Sequence, residues 1–168
     1  LCDGVLVAAA EEERFTRKKH TFDFPINAIN YCLAEAGISI DDVEYVAFYE
    51  KPIQKFMRIL ISYITTFPKS YKAFLKAMQL WFKEKLHVKK HIRKNLNYNG
   101  KILFAEHHMA HASSTFLVSP FEKSAVLTID GVGEWGTTTY GMGEGNKIDI
   151  FHEIKYPHSL GLLYSAIT

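Results

Sequence analysis

The apolar positions change period several times along the chain. "VLVAAAEEE", Val5 to Glu13, is a continuous apolar run closed by acids, and it predicts a strand. "FPINAINYCLAEAG" has Pro25 near its start, Ile26, Ile29, Leu33 and Ala36 at helical spacing, and Gly37 as a stop, which predicts a helix. "VEYVAFYE" returns to a strand. Strand, helix and strand in this order favour an α/β layer. Residues 53–97 read as helix broken at Pro68, because proline removes a helical N–H and its ring clashes with the preceding turn. Phe56, Leu60, Tyr63, Phe67, Tyr71, Leu75, Met78 and Phe82 recur three or four apart there, with lysines between them. They are expected to form a core-facing stripe with the lysines on the wet side.

The second half is shorter in period. "KILFAE" predicts a short strand, and "HHMAHASSTFLV" predicts a helix closed by Ser119-Pro120. Residues 124–154 predict a strand, a glycine-rich turn, a second strand, a turn at Gly143 to Asn146 and a third strand. At the start, Asp3-Gly4 before an apolar run is a hairpin signal, since a type I′ turn needs positive φ at both central residues. Two residues precede it, so the chain is expected to begin inside its first hairpin. "HSLGLLYSAIT" is helix-compatible without a stop signal and is expected to be cut as well.

Composition changes this picture in one respect. The 168 residues are 48 % apolar and 14 % aromatic, enough for a buried core in one domain. The net charge of +2 hides three blocks: −6 over residues 1–50, +12 over 51–101 and −4 over 102–168. The basic character belongs to the helical stretch 51–101, read as a structural insertion first, a polyanion or partner surface second and a membrane contact third. The longest apolar patch, "ILISYITTF", is too short to span a bilayer. Cys2 and Cys32 form no motif and read as reduced thiols, and the start lacks a basic signal-peptide region. A cytoplasmic protein is expected.

Three stretches could carry chemistry. "EHHMAHASS" holds three of the eight histidines. His107 and His111 are four apart, so on a helix both imidazoles share one face and can reach one metal ion, while His108 points about 100° away. The competing reading is a polar helix face without metal, and the residues themselves offer no obvious third ligand. "LTIDGVGEWGTTTYG" ends a strand at Asp130 and continues with Gly131, Gly133 and Gly136. Glycines let backbone amides approach phosphate oxygens, so this is either a phosphate-facing loop or a tight hairpin. It is not a dinucleotide fingerprint, because a strand follows. "EEERFTRKKH", Glu11 to His20, follows the first predicted strand, where Lys19 could meet an anionic substrate or simply sit on a solvated loop.

Taken together, "DGVLVAAAEEERFTRKKH", "FPINAINYCLAEAGISIDD", "EHHMAHASSTFLVSPF", "AVLTIDGVGEWGTTT" and "YPHSLGLLYSAIT" resemble the O-carbamoyltransferases of the nodulation-protein U and cephamycin/tobramycin type. The resemblance leaves only residues 51–101 without recognisable motifs. It implies an α/β fold, a partial ASKHA (actin-like ATPase, ribonuclease H-like) domain carrying 51–101 as a basic helical insertion. It implies a parent enzyme that forms carbamoyl-adenylate from carbamoyl phosphate and ATP in a YrdC-like domain, absent here. The carbamoyl group then passes to a hydroxyl of a sugar or antibiotic-like acceptor, assisted by Fe(II) or another divalent metal. By the same resemblance His107 and His111 are metal ligands, Asp130, Gly131 and Gly133 form a nucleotide-side loop, and Lys19 contacts the carbamoyl-adenylate. The third ligand, an aspartate, is expected beyond Thr168 and the catalytic histidine upstream of Leu1, so residues 1–168 alone are expected to be inactive and open to self-association. No nucleic-acid or membrane partner is expected. The alternatives are an ASKHA ATPase or kinase-type enzyme, and a non-catalytic binding module using the basic segment.

Overall fold

The computed structural model describes residues 1–19, 21, 23–83 and 85–168, apart from the side chains of Leu80, Lys83 and Lys85. His20, the last residue of the charged run, lies outside the described residues. In chain order the elements are α1 (Glu12–Thr16), α2 (Ile26–Ala36), β1 (Tyr45–Phe48), α3 (Pro52–Thr65), α4 (Tyr71–Lys83), α5 (Val88–Leu96), β2 (Lys101–Phe104), α6 (His107–Phe116), β3 (Lys123–Ile129), β4 (Gly136–Glu144), β5 (Lys147–Lys155) and α7 (Leu160–Ile167). The class is mixed α/β. β1 and β2 form a two-stranded sheet, and β3, β4 and β5 a three-stranded one in sequence order. The chain divides into two compact units, Leu1–Val46 with Val88–Ile102, and Ala47–His87 with Leu103–Thr168. The basic stretch therefore is not one body: α3 and α4 belong to the second unit and α5 to the first.

In the first unit the Asp3-Gly4 turn forms as expected. Cys2 and Val5 exchange both backbone hydrogen bonds, at 2.9 and 2.8 Å, and Asp3 and Gly4 stand at φ +48° and +81°. The strand expected over Val5 to Glu13 does not form. Val5, Leu6 and Val7 are 64, 61 and 42 % exposed and pair with no neighbouring strand among the described residues. A strand exists only through its ladder, so an apolar run without a partner stays irregular. The acids at its end instead open α1. Its C-cap, Arg17, is left-handed at φ +59°.

Glu12 explains why that acid block matters. It is 8 % exposed, and its carboxylate accepts hydrogen bonds from Asn27 Nδ2 at 2.6 Å and from the Ala28 amide at 2.9 Å. Pro25 stands at the N-cap of α2 and offers no side-chain oxygen to the free amides of the first turn. Glu12 supplies it from another helix. Glu12→Ala should therefore lower stability by about 1–3 kcal/mol, as expected for unpaired buried donors. Glu11→Ala, on an exposed side chain that makes no capping bond, should stay within about 0.5 kcal/mol. Equal urea midpoints for the two variants would refute the capping role. At the other end of α2 Gly37 closes the helix at φ +64°, donating to the carbonyls of Leu33 and Ala34.

In the second unit α3 and α4 meet through Phe56 against Trp81 and Phe82, both at 5.7 Å between ring centres, and Tyr63 against Phe74 at 5.8 Å. The predicted stripe is only half inward. Met78 is buried and Phe56, Leu60 and Tyr63 are half-buried, whereas Phe67, Tyr71, Leu75 and Phe82 are exposed. The break at Pro68 is present, and a second interruption, a 3₁₀ turn at Lys85–His87, separates α4 from α5.

β3 to β5 are antiparallel, with a two-residue turn at Gly145-Asn146 and Gly145 at φ +59°. Alternation along β3 turns Val126 and Thr128 inward and Leu127 and Ile129 outward. α6 lies on the inward face. Ala112, Phe116 and Val126 form the core there, with Ile148 and Ile150 packed against them. This packing fixes which side of α6 is left for the histidines.

Candidate metal centre

α6 begins at His107 after Glu106, which is extended at φ −71°, ψ 139°. One helical turn then sets His107 and His111 on one face. Asp130 is delivered from the other side. It follows β3, its amide donates to the Thr137 carbonyl at 2.8 Å, and its carboxylate also accepts the Gly131 amide at 2.6 Å. α7 braces the same loop. Ser159 caps α7 and donates to the carbonyls of Asp130 and Gly131 at 3.2 and 2.7 Å. Gly161 lies so close that a Cβ would stand 2.4 Å from the Asp130 carbonyl oxygen.

The outcome is a convergence of three donors. His107 Nε2 lies 2.9 Å from Asp130 Oδ2 and 3.2 Å from His111 Nε2, and one ligand atom from each residue falls within 4.8 Å of the others. His107 Nε2 can carry one proton at most. With it, the nitrogen satisfies Asp130; without it, the lone pair faces a carboxylate. A cation at the shared point satisfies all three donors at once. With Nε2 as a ligand the proton sits on His107 Nδ1, which is buried and meets no acceptor among the described residues. The residues present fit a divalent metal.

His108 does different work. It is 8 % exposed, with Nε2 2.8 Å from the Gly136 carbonyl and Nδ1 2.6 Å from Thr128 Oγ1, which in turn lies 2.7 Å from Thr139 Oγ1. Nε2–H donates to the carbonyl, and in the neutral ring Nδ1 accepts from the Thr128 hydroxyl. Burial pushes its pKa below the ordinary histidine value, against the opposing pull of the Gly136 carbonyl and Asp130. This ring ties α6 to β3 and β4 and holds His107 in register.

Beside the histidines is a cleft of about 230 Å³ lined by Gln54, Glu106, His107, His108, Glu134, Trp135, Gly136, Glu153 and Lys155. Glu134 is 6 % exposed and accepts a hydrogen bond from the Lys51 amide. Burial raises its carboxyl above the ordinary range, and the Lys51 amide and charge oppose that rise. Lys51 also reaches Glu106 at 2.7 Å. Of the loop glycines, Gly133 is needed for close approach: a Cβ there would stand 2.8 Å from the Gly136 carbonyl oxygen and 3.2 Å from both His107 and His108. Gly131 is not crowded, its nearest neighbour being Leu162 at 3.8 Å.

The family described as carbamoyltransferase N-terminus matches residues 1–168. The chain belongs to this carbamoyltransferase family. The uncharacterized protein sll1178 of Synechocystis is 51 % identical over 99 % of the chain, which spans 28 % of that protein. Nodulation protein NolNO of Sinorhizobium fredii is 32 % identical over 96 % of the chain, which spans 23 % of it. Protein MJ1051 of Methanocaldococcus jannaschii is 25 % identical over 97 % of the chain, which spans 25 % of it. The chain thus spans about a quarter of the length of these relatives.

Within this carbamoyltransferase domain the second unit brings His107, His111, Asp130, Gly131 and Gly133 together. Asp130, assigned by resemblance to a nucleotide-side loop, stands against His107, and it is the third donor that the residues alone did not reveal. Lys19 belongs to the first unit, exposed after α1. Glu134 and the structural role of His108 were not read from sequence. The single legible hint for His108 was its position out of phase with the other two histidines. Among the described residues no helix is long and apolar enough to cross a membrane.

Proposed function

We propose that this chain is the transfer domain of an O-carbamoyltransferase built on a partial ASKHA fold, with residues 51–101 as a basic helical insertion. The parent enzyme would make carbamoyl-adenylate from carbamoyl phosphate and ATP in a YrdC-like domain and pass the carbamoyl group to a hydroxyl of a sugar or antibiotic-like acceptor in the cytoplasm. The convergence of His107, His111 and Asp130 in a chain of this family carries the reading. Two imidazoles and one carboxylate with open positions suit Fe(II), or another divalent ion. Such an ion, when bound, supplies Lewis-acid stabilisation of charge on the carbonyl or phosphate oxygens.

The residues' own parts follow from where they stand. His107, His111 and Asp130 would hold the ion, and His108 keeps the first of them in register. Gly133 lets the loop close over the imidazoles; Gly131 would face the nucleotide phosphate by the family resemblance. Lys19 is given a part by the family resemblance alone, as a cation for the anionic donor. Glu106, Glu134 and Glu153 give the cleft wall hydrogen-bond acceptors, which suits a polyhydroxylated or amine-bearing acceptor.

Full-length protein supplied with carbamoyl phosphate, ATP and a panel of sugars and aminoglycosides should release AMP and pyrophosphate. No AMP across the panel would remove the assignment. ADP as the product would assign a kinase-type enzyme instead.

A further inference from the structure

Arg58, in the second turn of α3, is 8 % exposed, and its Nε is buried with no hydrogen-bond partner among the described residues. The guanidinium lies over the Tyr156 ring, 5.3 Å from its centre. No carboxylate engages it among the described residues. The nearby acid, Glu50, gives its Oε2 to Lys55 Nζ at 2.6 Å. Buried charges in folded proteins are paired and hydrogen-bonded, because an unpaired ion loses its hydration without replacement. An aromatic ring stabilises the face of the guanidinium but offers no acceptor to the edge, where Nε–H lies. Burial lowers the pKa of Arg58, with Tyr156 and Glu50 acting the other way.

The position of Arg58 is as informative as its lack of a partner. Gln54, one helical turn earlier on the same face of α3, lines the cleft, and so does Lys155, the chain neighbour of Tyr156. The Tyr156 amide donates to the carbonyl of Trp135, another cleft residue, at 2.9 Å. Arg58 is not itself part of the cleft lining; it stands one turn from Gln54 on α3 and over Tyr156, which joins the cleft wall through Trp135 and Lys155.

We infer that Arg58 is an oxyanion-binding residue whose guanidinium edge takes a phosphate group of a ligand that reaches it from the neighbouring cleft. The planar fork matches two oxygens of one phosphate, and Tyr156 holds the fork flat. That the phosphate is the one carried by the carbamoyl donor or its nucleotide rests on the proposed function; the anion site itself does not.

The test uses full-length protein, titrated calorimetrically with inorganic phosphate and, at equal ionic strength, with acetate. Wild type should bind phosphate saturably, and Arg58→Met, which keeps the apolar stem, should bind it at least tenfold more weakly. Arg58→Lys should fall between the two, because a point charge lacks the fork, and it serves if the methionine variant does not fold. Metal content should be the same in all three. Phosphate binding unchanged in the variants, or absent in wild type, overturns the inference. Acetate binding as tightly as phosphate overturns the phosphate assignment. AMP release with unchanged KM for carbamoyl phosphate and ATP in Arg58→Met overturns the site and spares the transferase reading. Arg58-dependent phosphate binding without AMP release does the reverse.

Discussion

Replacing His107 and His111 together with alanine should bring the metal content of the full-length protein down to background. Asp130→Asn should leave two imidazoles and a poorer oxygen donor, so metal persists but exchanges readily with chelator. The reason lies in the crowding at His107 Nε2, which has Asp130 Oδ2 at 2.9 Å and His111 Nε2 at 3.2 Å. A single proton cannot satisfy both contacts, whereas a divalent ion accepts a lone pair from each donor. His152→Ala removes an exposed imidazole stacked on Tyr140 at 5.1 Å and should leave the metal untouched. Elemental analysis of the purified variants reads the result. Unchanged metal in the double variant would refute the ligand assignment, and loss in His152→Ala would show that the assay reports general instability.

Phe116→Ala should cost about 3–5 kcal/mol, the range for removing a large aromatic from a packed core. Phe116 is 4 % exposed and sits with Ala112 at 0 % and Val126 at 6 %, so little space exists for the surroundings to relax. Gly143 on β4 lies against the same ring, and a Cβ there would approach Phe116 Cδ1 to 2.5 Å. Gly143→Ala should therefore cost about 1–3 kcal/mol through overpacking. The two substitutions should not add. Once the ring is gone the new methyl group enters the vacated space, so Gly143→Ala in the Phe116→Ala background should cost far less than alone. A double-mutant cycle by urea unfolding measures this, and simple additivity would show that Phe116 is not what restricts position 143.

α2, β1, β2, α6 and β3 to β5 were legible because each has a clean period and its own punctuation, such as Gly37 after α2 and Gly145-Asn146 between β4 and β5. "VLVAAAEEE" was misread because an apolar run states only that a segment can pair, not that a partner is beside it. The turn at Lys85–His87 carries no glycine or proline, so its break from α4 leaves no mark in the sequence. Half of the aromatic stripe on α3 and α4 faces outward, because spacing defines a face of a helix but not what covers it.

The sequence by itself determined the family, through several motifs in order, and the pairing of His107 with His111, since helical geometry places residues four apart on one face whatever the rest of the chain does. The tertiary structure alone decided three matters. It brought Asp130 to the histidines across twenty-three positions from His107, it put Glu12 at the amino end of α2, and it buried Arg58 with no ion pair among the described residues. These are contacts between elements. Local propensity and period act over a few residues, whereas such meetings depend on how α6 packs on β3 to β5, how α1 meets α2, and which acids other cations have already engaged.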